Sequence, residues 1–378
     1  MDFTKLTQFL GTVQEQGVPG IDLAVYYKGE QVYRHMTGTC DYLRKKPVTE
    51  DTLYWIYSMT KPVVMTALMQ CVEKGLICLE DPVSDYIPEF RQMKVRHSDG
   101  SIRPAENVIR VKHLMSMTAG LSYDRKIPAL LETMRDPNAS TETIVASLAK
   151  EPLKYEPGTQ YLYSFGHDVA GRVLEVATGK SLGEYMKENI FDPLGMTTAT
   201  FRAESPELRA CLAAQFRYDT ATRTASPEKF ENEYILSRQY ESGGAGLIIS
   251  AADYGKFAAA MSTSLASDTP LLGHAALQLM RTPQLSDEMA EKYFSQTKWE
   301  QGYTYGLGVY TMKYPEKTGG KSVVGEFGWD GAAGSCCFIN PDDQIAMVYM
   351  IQVLGCEYSY KELFPKARNL VNEIILGK

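Results

Sequence analysis

Ser58-Met59-Thr60-Lys61 sets a hydroxyl and an amine three residues apart, directly after an apolar strand-like run, Leu53-Tyr54-Trp55-Ile56-Tyr57. On a helix this spacing brings both side chains to one face, one turn from each other. The hydroxyl can then pass its proton to the amine without a histidine, the serine–lysine form of nucleophilic catalysis. A helix N-terminus beneath the serine adds positive potential where an oxyanion forms. The apolar stretch 63–72 predicts a buried helix, and burial lowers a lysine pKa toward the range a base needs.

The same pattern recurs at Ser147 with Lys150, Ser226 with Lys229 and Ser295 with Lys298, so context has to separate them. Ser147 falls in a polar-faced helical stretch, 141–150, which predicts a solvated pair. Ser226 precedes a proline in a Thr/Ser-rich loop, and Ser295 lies in a segment of Gln, Lys and Glu. Ser58 alone joins an apolar strand to an apolar helix.

The elements that must position these groups are legible in outline. The first ten residues read as an amphipathic helix. Two alternating runs, 21–27 and 31–36, joined by Lys28-Gly29-Glu30, read as a β-hairpin. Residues 79–201 turn mostly helical, and 203–240 read as polar and irregular. Strand signals return at 306–310, 335–339 and 345–350, the last two joined by the turn Asn340-Pro341-Asp342-Asp343. A helix over 361–376 follows. Strands near both ends with helices between predict an α/β fold, an antiparallel sheet flanked by helices and built from both termini. Residues 1–78 and 241–378 would form this discontinuous domain. An all-α domain, 79–240, would be inserted in it, with the site at their interface.

A chain of 378 residues, 44% hydrophobic and 22% charged, has ordinary globular composition. Its net charge of -7 argues against nucleic acid or an anionic membrane as partner. No apolar run approaches the roughly 20 residues of a membrane span, and no signal-peptide h-region is present. The seven cysteines lack framework spacing, which predicts free buried thiols in a reducing cytoplasm. Without a CxxC pair or HExxH, nothing calls for a metal or other cofactor.

Two further stretches complete a site. Glu156-Pro157-Gly158-Thr159-Gln160-Tyr161-Leu162-Tyr163-Ser164 places a tyrosine after a turn and before an apolar helix. Gly328-Trp329-Asp330-Gly331-Ala332-Ala333-Gly334-Ser335 is a glycine-rich approach to the strand at 336–339, where backbone can come close to a ligand. With Ser58 and Lys61, this order resembles the serine β-lactamase and penicillin-binding protein superfamily, in particular its class C-like branch and the family VIII carboxylesterases. Leu114-Met115-Ser116-Met117-Thr118-Ala119-Gly120-Leu121, Pro193-Leu194-Gly195-Met196 and Gly243-Gly244-Ala245-Gly246-Leu247 extend the likeness over most of the chain.

The resemblance implies Ser58 as the acylated nucleophile, Lys61 as its proton partner and Tyr163 as second proton carrier. It implies an oxyanion hole made by the N–H groups of Ser58 and Ala332. Lys61 and Tyr163 are expected to share a proton, since a neighbouring ammonium favours tyrosinate. Two departures bear on the substrate. Phe165 stands where β-lactamases carry an amide-binding asparagine. Trp329-Asp330-Gly331 stands where Lys-Thr-Gly meets the penicillin carboxylate, and Asp330 departs from the esterases' Trp-Gly-Gly too. Phe165, Trp329, Asp330 and Gly331 are therefore the expected substrate-binding residues, and an anionic acylamino substrate should lose affinity. Losing the lysine also removes a cation that would stabilise tyrosinate, shifting the base role toward Lys61.

Lys317-Thr318-Gly319 spells the missing motif but reads as a turn before a polar run. Gly179-Lys180-Ser181-Leu182-Gly183 matches a hydrolase nucleophile elbow, yet a helix precedes it, and Ser181 with Glu184 reads as a capping box. His167 reads as a packed histidine. Tyr123, Trp299, Tyr303 and Tyr305 are candidates to line an acyl or alcohol pocket. The expected activity is ester hydrolysis of small or medium acyl groups on a small-molecule substrate. Acyl transfer from the same intermediate, and D-amino-acid peptidase or β-lactamase activity, are the alternatives, with a non-catalytic binding domain behind them.

Overall fold

The computed structural model describes residues 1–294, 301–318 and 320–377. Its centre is a seven-stranded antiparallel sheet in the order β2-β1-β13-β12-β11-β10-β9. The N-terminal hairpin supplies β1 (Gly20–Tyr27) and β2 (Glu30–Gly38). Lys28 and Gly29 between them both have positive φ, 53° and 84°, the turn that matches strand twist. The C-terminal part supplies β9 (Tyr303–Tyr305), β10 (Tyr310–Met312), β11 (Phe327–Asp330), β12 (Cys336–Asn340) and β13 (Ile345–Met350). β1 lies against β13 with Leu23 opposite Tyr349, so the two ends of the chain share one sheet.

Both faces of the sheet are covered at its centre, which is why β1, β12 and β13 are buried almost throughout, whereas the edge strand β2 stays exposed or half-buried. Ile21, Leu23, Val25, Phe338, Met347 and Tyr349 face a core closed by α1 (Thr4–Leu10) and α13 (Phe364–Leu376). Ala24, Tyr26, Ile339, Ala346 and Val348 face the larger core, shared with α2 (Thr60–Glu73) and α10 (Ala251–Thr263). Cys336 and Cys337 accordingly point into different cores. Helix α2 is buried from Thr60 through Cys71, so even its polar residues are enclosed.

Between α2 and α10 the regular structure is chiefly helical, though loops make up most of the stretch: α3 (Val111–Met115), α4 (Pro128–Thr133), α5 (Thr141–Leu148), α6 (Gly166–Thr178), α7 (Leu182–Met186), α8 (Asp192–Leu194) and α9 (Pro206–Cys211). Beyond α10 come α11 (His274–Arg281) and α12 (Asp287–Phe294). Short strands punctuate this set: β3 (Leu53–Trp55) pairs with β8 (Ile248–Ser250), and β4 (Lys94–Arg96) with β5 (Ile102–Pro104).

Two expectations from the sequence shift. The stretch 203–240, read as irregular, contains the hairpin β6 (Phe216–Asp219) and β7 (Thr224–Pro227), and β6 pairs in parallel with β14 (Val353–Leu354). Phe216 and Tyr218 turn inward while Arg217 and Asp219 are exposed, an alternation too short to stand out. Of the strand expected at 306–310, only Tyr310 is strand, opening β10; residues 306–309 are the turn between β9 and β10, closed by the Gly306 N–H on the Val309 carbonyl at 2.8 Å. Its buried Leu307 and Val309 gave it strand-like composition. Of the cysteines, Cys40, Cys71, Cys336, Cys337 and Cys356 are buried and all seven are free, but Cys78 is exposed and Cys211 half-buried. Among the described residues no helix is long and apolar enough to cross a membrane.

Candidate active site

The junction from β3 into α2 turns on one residue. Tyr57 has φ 46°, a left-handed conformation that costs a side-chain-bearing residue about 1–2 kcal/mol. Its ring is buried and its hydroxyl donates to Gln215, contacts that hold the strained backbone. A single 3-10 turn, Tyr57–Met59, then leads into α2. The reversal leaves Ser58 half-buried between the buried Tyr57 and Met59.

Three side chains converge there. Lys61 Nζ lies 3.1 Å from Ser58 Oγ, and the Tyr163 hydroxyl donates to the same oxygen at 2.7 Å. Lys61 also donates to the Gly244 carbonyl at 2.6 Å. Its Nζ sits 4.5 Å from the Tyr163 ring centroid. Ser58 and Lys61 come from the sheet side of the molecule, while Tyr163 comes from the loop before α6.

Burial drives both proton carriers toward their uncharged forms. Lys61 is fully enclosed, and desolvation pulls it down from 10.5 to about 7, with Asp168 and Asp330 opposing. Tyr163 is held well above its usual 10, first by desolvation, then by Tyr305 and Asp330, while the Ser58 hydrogen bond works the other way. The expectation that Lys61 would favour tyrosinate is thus outweighed: near neutral pH a neutral phenol and an amine poised between its two forms flank the hydroxyl. His167 is buried beside Lys61, its Nε2 on the Met115 carbonyl at 3.1 Å, and burial lowers it to about 3. It is packed and uncharged, as the sequence indicated.

The turn after β11 closes the other side. Gly331 N–H donates to the Ser335 carbonyl and Gly334 N–H to the Gly331 carbonyl, both at 2.8 Å. A Cβ on Gly331 would stand 2.3 Å from the Ile56 carbonyl, so only glycine lets this turn press against the β3–α2 junction. Ala332, next in line, is exposed. Among the described residues, neither its N–H nor that of Ser58 donates to a main-chain carbonyl.

The remaining expected residues form an aromatic wall. Trp329 is 5% exposed and stacks on Tyr163 at 5.8 Å and 8°, with Tyr305 edge-on at 5.2 Å. Tyr123 meets Tyr163 edge-on at 5.3 Å and stacks on Tyr234 at 5.0 Å. Phe165, 1% exposed, lies beneath Tyr123 at 4.7 Å, so it supports the wall from behind. Tyr303 turns away, donating to Glu326 at 2.8 Å. Asp330 is half-buried at the end of β11. Trp299 lies outside the described residues.

The competing motifs resolve unevenly. Ser181 and Glu184 form the capping box of α7. Lys317 and Thr318 sit in a 3-10 turn, Pro315–Thr318, with Gly319 outside the described residues. Ser226 is exposed but lies on β7, paired with Arg217, where the sequence predicted a loop; Ser295 and Lys298 lie outside the described residues. Ser147 is buried, its hydroxyl on the Ile144 carbonyl at 2.6 Å, where the sequence predicted a solvated one. Sequence reasoning missed the Gly244 carbonyl and Asp168. The doubled glycine at 243–244 was the available signal, since adjacent glycines mark a close approach of backbone.

Comparison with known proteins agrees with this fold. The beta-lactamase family profile matches residues 6–364. An acyltransferase, calJ, of Penicillium decumbens is 30% identical over 88% of this chain and 83% of its own. A lovastatin esterase of Penicillium rubens is 31% identical over 70% of this chain and 69% of its own. The solved structure of EstCE1 superposes with a TM-score of 0.80 at 22% identity, covering 99% of this chain and 98% of that one. The chain belongs to the beta-lactamase family.

Proposed function

We propose that this chain is a serine hydrolase, a carboxylesterase cleaving esters of small or medium acyl groups through an acyl-enzyme on Ser58. The observation that carries the reading is the placement of Ser58 Oγ 3.1 Å from a buried Lys61 and 2.7 Å from Tyr163. In acylation, neutral Lys61 takes the Ser58 proton as Oγ attacks the ester carbonyl. The oxyanion is held by the N–H groups of Ser58 and Ala332, each worth about 3–4 kcal/mol of barrier. As the C–O bond breaks, the leaving alkoxide receives a proton from Tyr163, which is replenished from Lys61. Water repeats the sequence in reverse, with Lys61 taking its proton and Ser58 leaving.

Trp329 stands as the pocket wall and Asp330 as an anion-repelling rim. Together with Phe165 in place of an amide, they disfavour penicillin-like carboxylates, which weighs against the β-lactamase and D-peptidase readings. In this reading the chain has two parts, 1–78 with 241–378 and 79–240, and the site lies between them, with Ser58 from the first and Tyr163 from the second. Seven free cysteines support a cytoplasmic location.

Hydrolysis of p-nitrophenyl esters of graded chain length, with an acyl adduct on Ser58 by mass spectrometry and no turnover of nitrocefin, is the expected result. Nitrocefin turnover exceeding that of every ester would overturn the esterase assignment. Acyl transfer is the second reading, favoured by the 30% identical acyltransferase relative. It predicts transfer products when alcohol or amine acceptors are added to the acyl-enzyme.

A further inference from the structure

Lys61 is held from behind by a main-chain atom, the Gly244 carbonyl at 2.6 Å. That carbonyl belongs to Ser242-Gly243-Gly244-Ala245, a turn outside any helix or strand. What fixes the turn is Asp168, in the first turn of α6, where the positive helix end favours a carboxylate. Asp168 is 1% exposed. Its Oδ1 accepts from the Tyr240 hydroxyl at 2.5 Å, the Ser242 hydroxyl at 2.7 Å and the Gly244 N–H at 3.3 Å.

The other oxygen differs. Asp168 Oδ2 is buried without a hydrogen-bond partner among the described residues, and so is the Tyr123 hydroxyl. Both border the space that Gly244 leaves open: a Cβ there would stand 2.6 Å from Oδ2 and 3.3 Å from the Tyr123 oxygen. An enclosed carboxylate with one bare oxygen is expensive to keep unless its charge acts on something nearby. Its charge acts on Lys61, opposing the desolvation.

We infer that Asp168 is the positioning residue for Lys61: by fixing residues 240–244 it aims the Gly244 carbonyl at Nζ, and its buried charge faces the amine, the two together keeping it turned to Ser58. This rests on the reading of Lys61 as proton acceptor. The groups facing Lys61 are His167 and Asp168 from α6, Asp330 from β11, Ser58 and Tyr163 at the mouth, and Tyr123. Around Asp168 stand Tyr123, Tyr234 and Tyr240, with Glu175 beyond Tyr240. Burial keeps those tyrosines and His167 neutral, so Asp168 and Asp330 are the acidic charges acting on the amine.

Asp168→Asn keeps the Oδ1 acceptor and removes the charge. Without the charge the ammonium loses support, so the acid limb of kcat/KM should move down by about one pH unit. An acid limb unchanged from that of the parent overturns the inference, because a purely structural aspartate would alter thermal stability and leave the limb in place. If Asp168→Asn does not fold, the pair Tyr240→Phe and Ser242→Ala keeps the charge and loosens its hold on the turn. That variant should lose at least ~10-fold in kcat with KM little changed, and a parental kcat overturns the inference. Lys61→Ala run alongside separates the two failures. An active Lys61→Ala sinks the proton-acceptor reading itself; an inactive one beside an unmoved limb sinks Asp168 alone.

Discussion

The two sides of Ser58 are about equally buried and built from opposite chemistry. On the Lys61 side, a carbonyl, a carboxylate and three hydrogen-bond donors hold one amine. On the Trp329 side, stacked rings hold one phenol: Trp329 lies flat on Tyr163, and Tyr305 and Tyr310 each pack on Trp329 at 5.2 Å. Burial alone therefore does not decide what a wall does. Where polar atoms back the buried group, its charge state is set within a narrow window. Where rings back it, the group stays neutral and the wall fixes shape.

Removing a member of the polar side should have the larger effect. Ser58→Ala abolishes the nucleophile, and p-nitrophenyl ester turnover should fall by ~10⁴-fold or more. Lys61→Ala should lose ~10⁴-fold, against ~10²-fold for Tyr163→Phe, within the range that a positioned acid or base supplies. Equal losses from the two would erase the difference between the sides. In the parent enzyme, kcat/KM should rise with pH through about 7 as Lys61 sheds its proton. The direction follows because the ammonium cannot accept a proton from Ser58. A flat profile between pH 6 and 8 would contradict an amine poised there.

A milder change sharpens the comparison from the aromatic side. Trp329→Phe keeps a ring against Tyr163 but thins the wall. KM for esters with bulky acyl groups should change several-fold, equivalent to about 1 kcal/mol, while the acid limb stays where it is. Movement of the limb in this variant would mean that the aromatic wall, too, sets the proton chemistry.

Much of this was legible from residues alone, for reasons that differ by element. Ser58 and Lys61 were found because helical periodicity makes a three-residue spacing a spatial statement, and their flanking apolar runs survive as β3 and α2. Tyr163, Ala332 and Trp329 came through family likeness, since each lies far along the chain from Ser58 and spacing says nothing about them. The positive φ of Tyr57 was invisible, because a tyrosine gives no sign of left-handed backbone and its support comes from Gln215, 158 residues away. Asp168 was missed for a similar reason. An aspartate in the first turn of a helix looks like ordinary dipole compensation, and its three donors lie more than seventy residues further on. The strand misplaced at 306–310 shows the converse, a turn whose buried Leu307 and Val309 imitate a strand.

The smallest expected effect is on stability, and it separates the two sides most directly. A lysine whose folded pKa lies near 7 and whose unfolded value is 10.5 is a burden to the fold. Above 10.5 both states are neutral and the burden is absent. Between there and about 7 the unfolded chain holds a proton that the native site rejects, so stability falls as pH falls through that window. Below about 7 the penalty is present in full. Lys61→Met should remove it, raising stability by about 1 kcal/mol after the orphaned Gly244 carbonyl is taken into account. The gain should shrink between pH 7 and pH 9.5, because the parent sheds its penalty over that interval. Trp329→Phe leaves no buried charge behind, so its stability difference from the parent should not vary across the same range. Thermal denaturation of both variants and the parent at the two pH values makes the test. A Lys61→Met gain independent of pH would mean that the amine is already charged and accommodated in the folded protein.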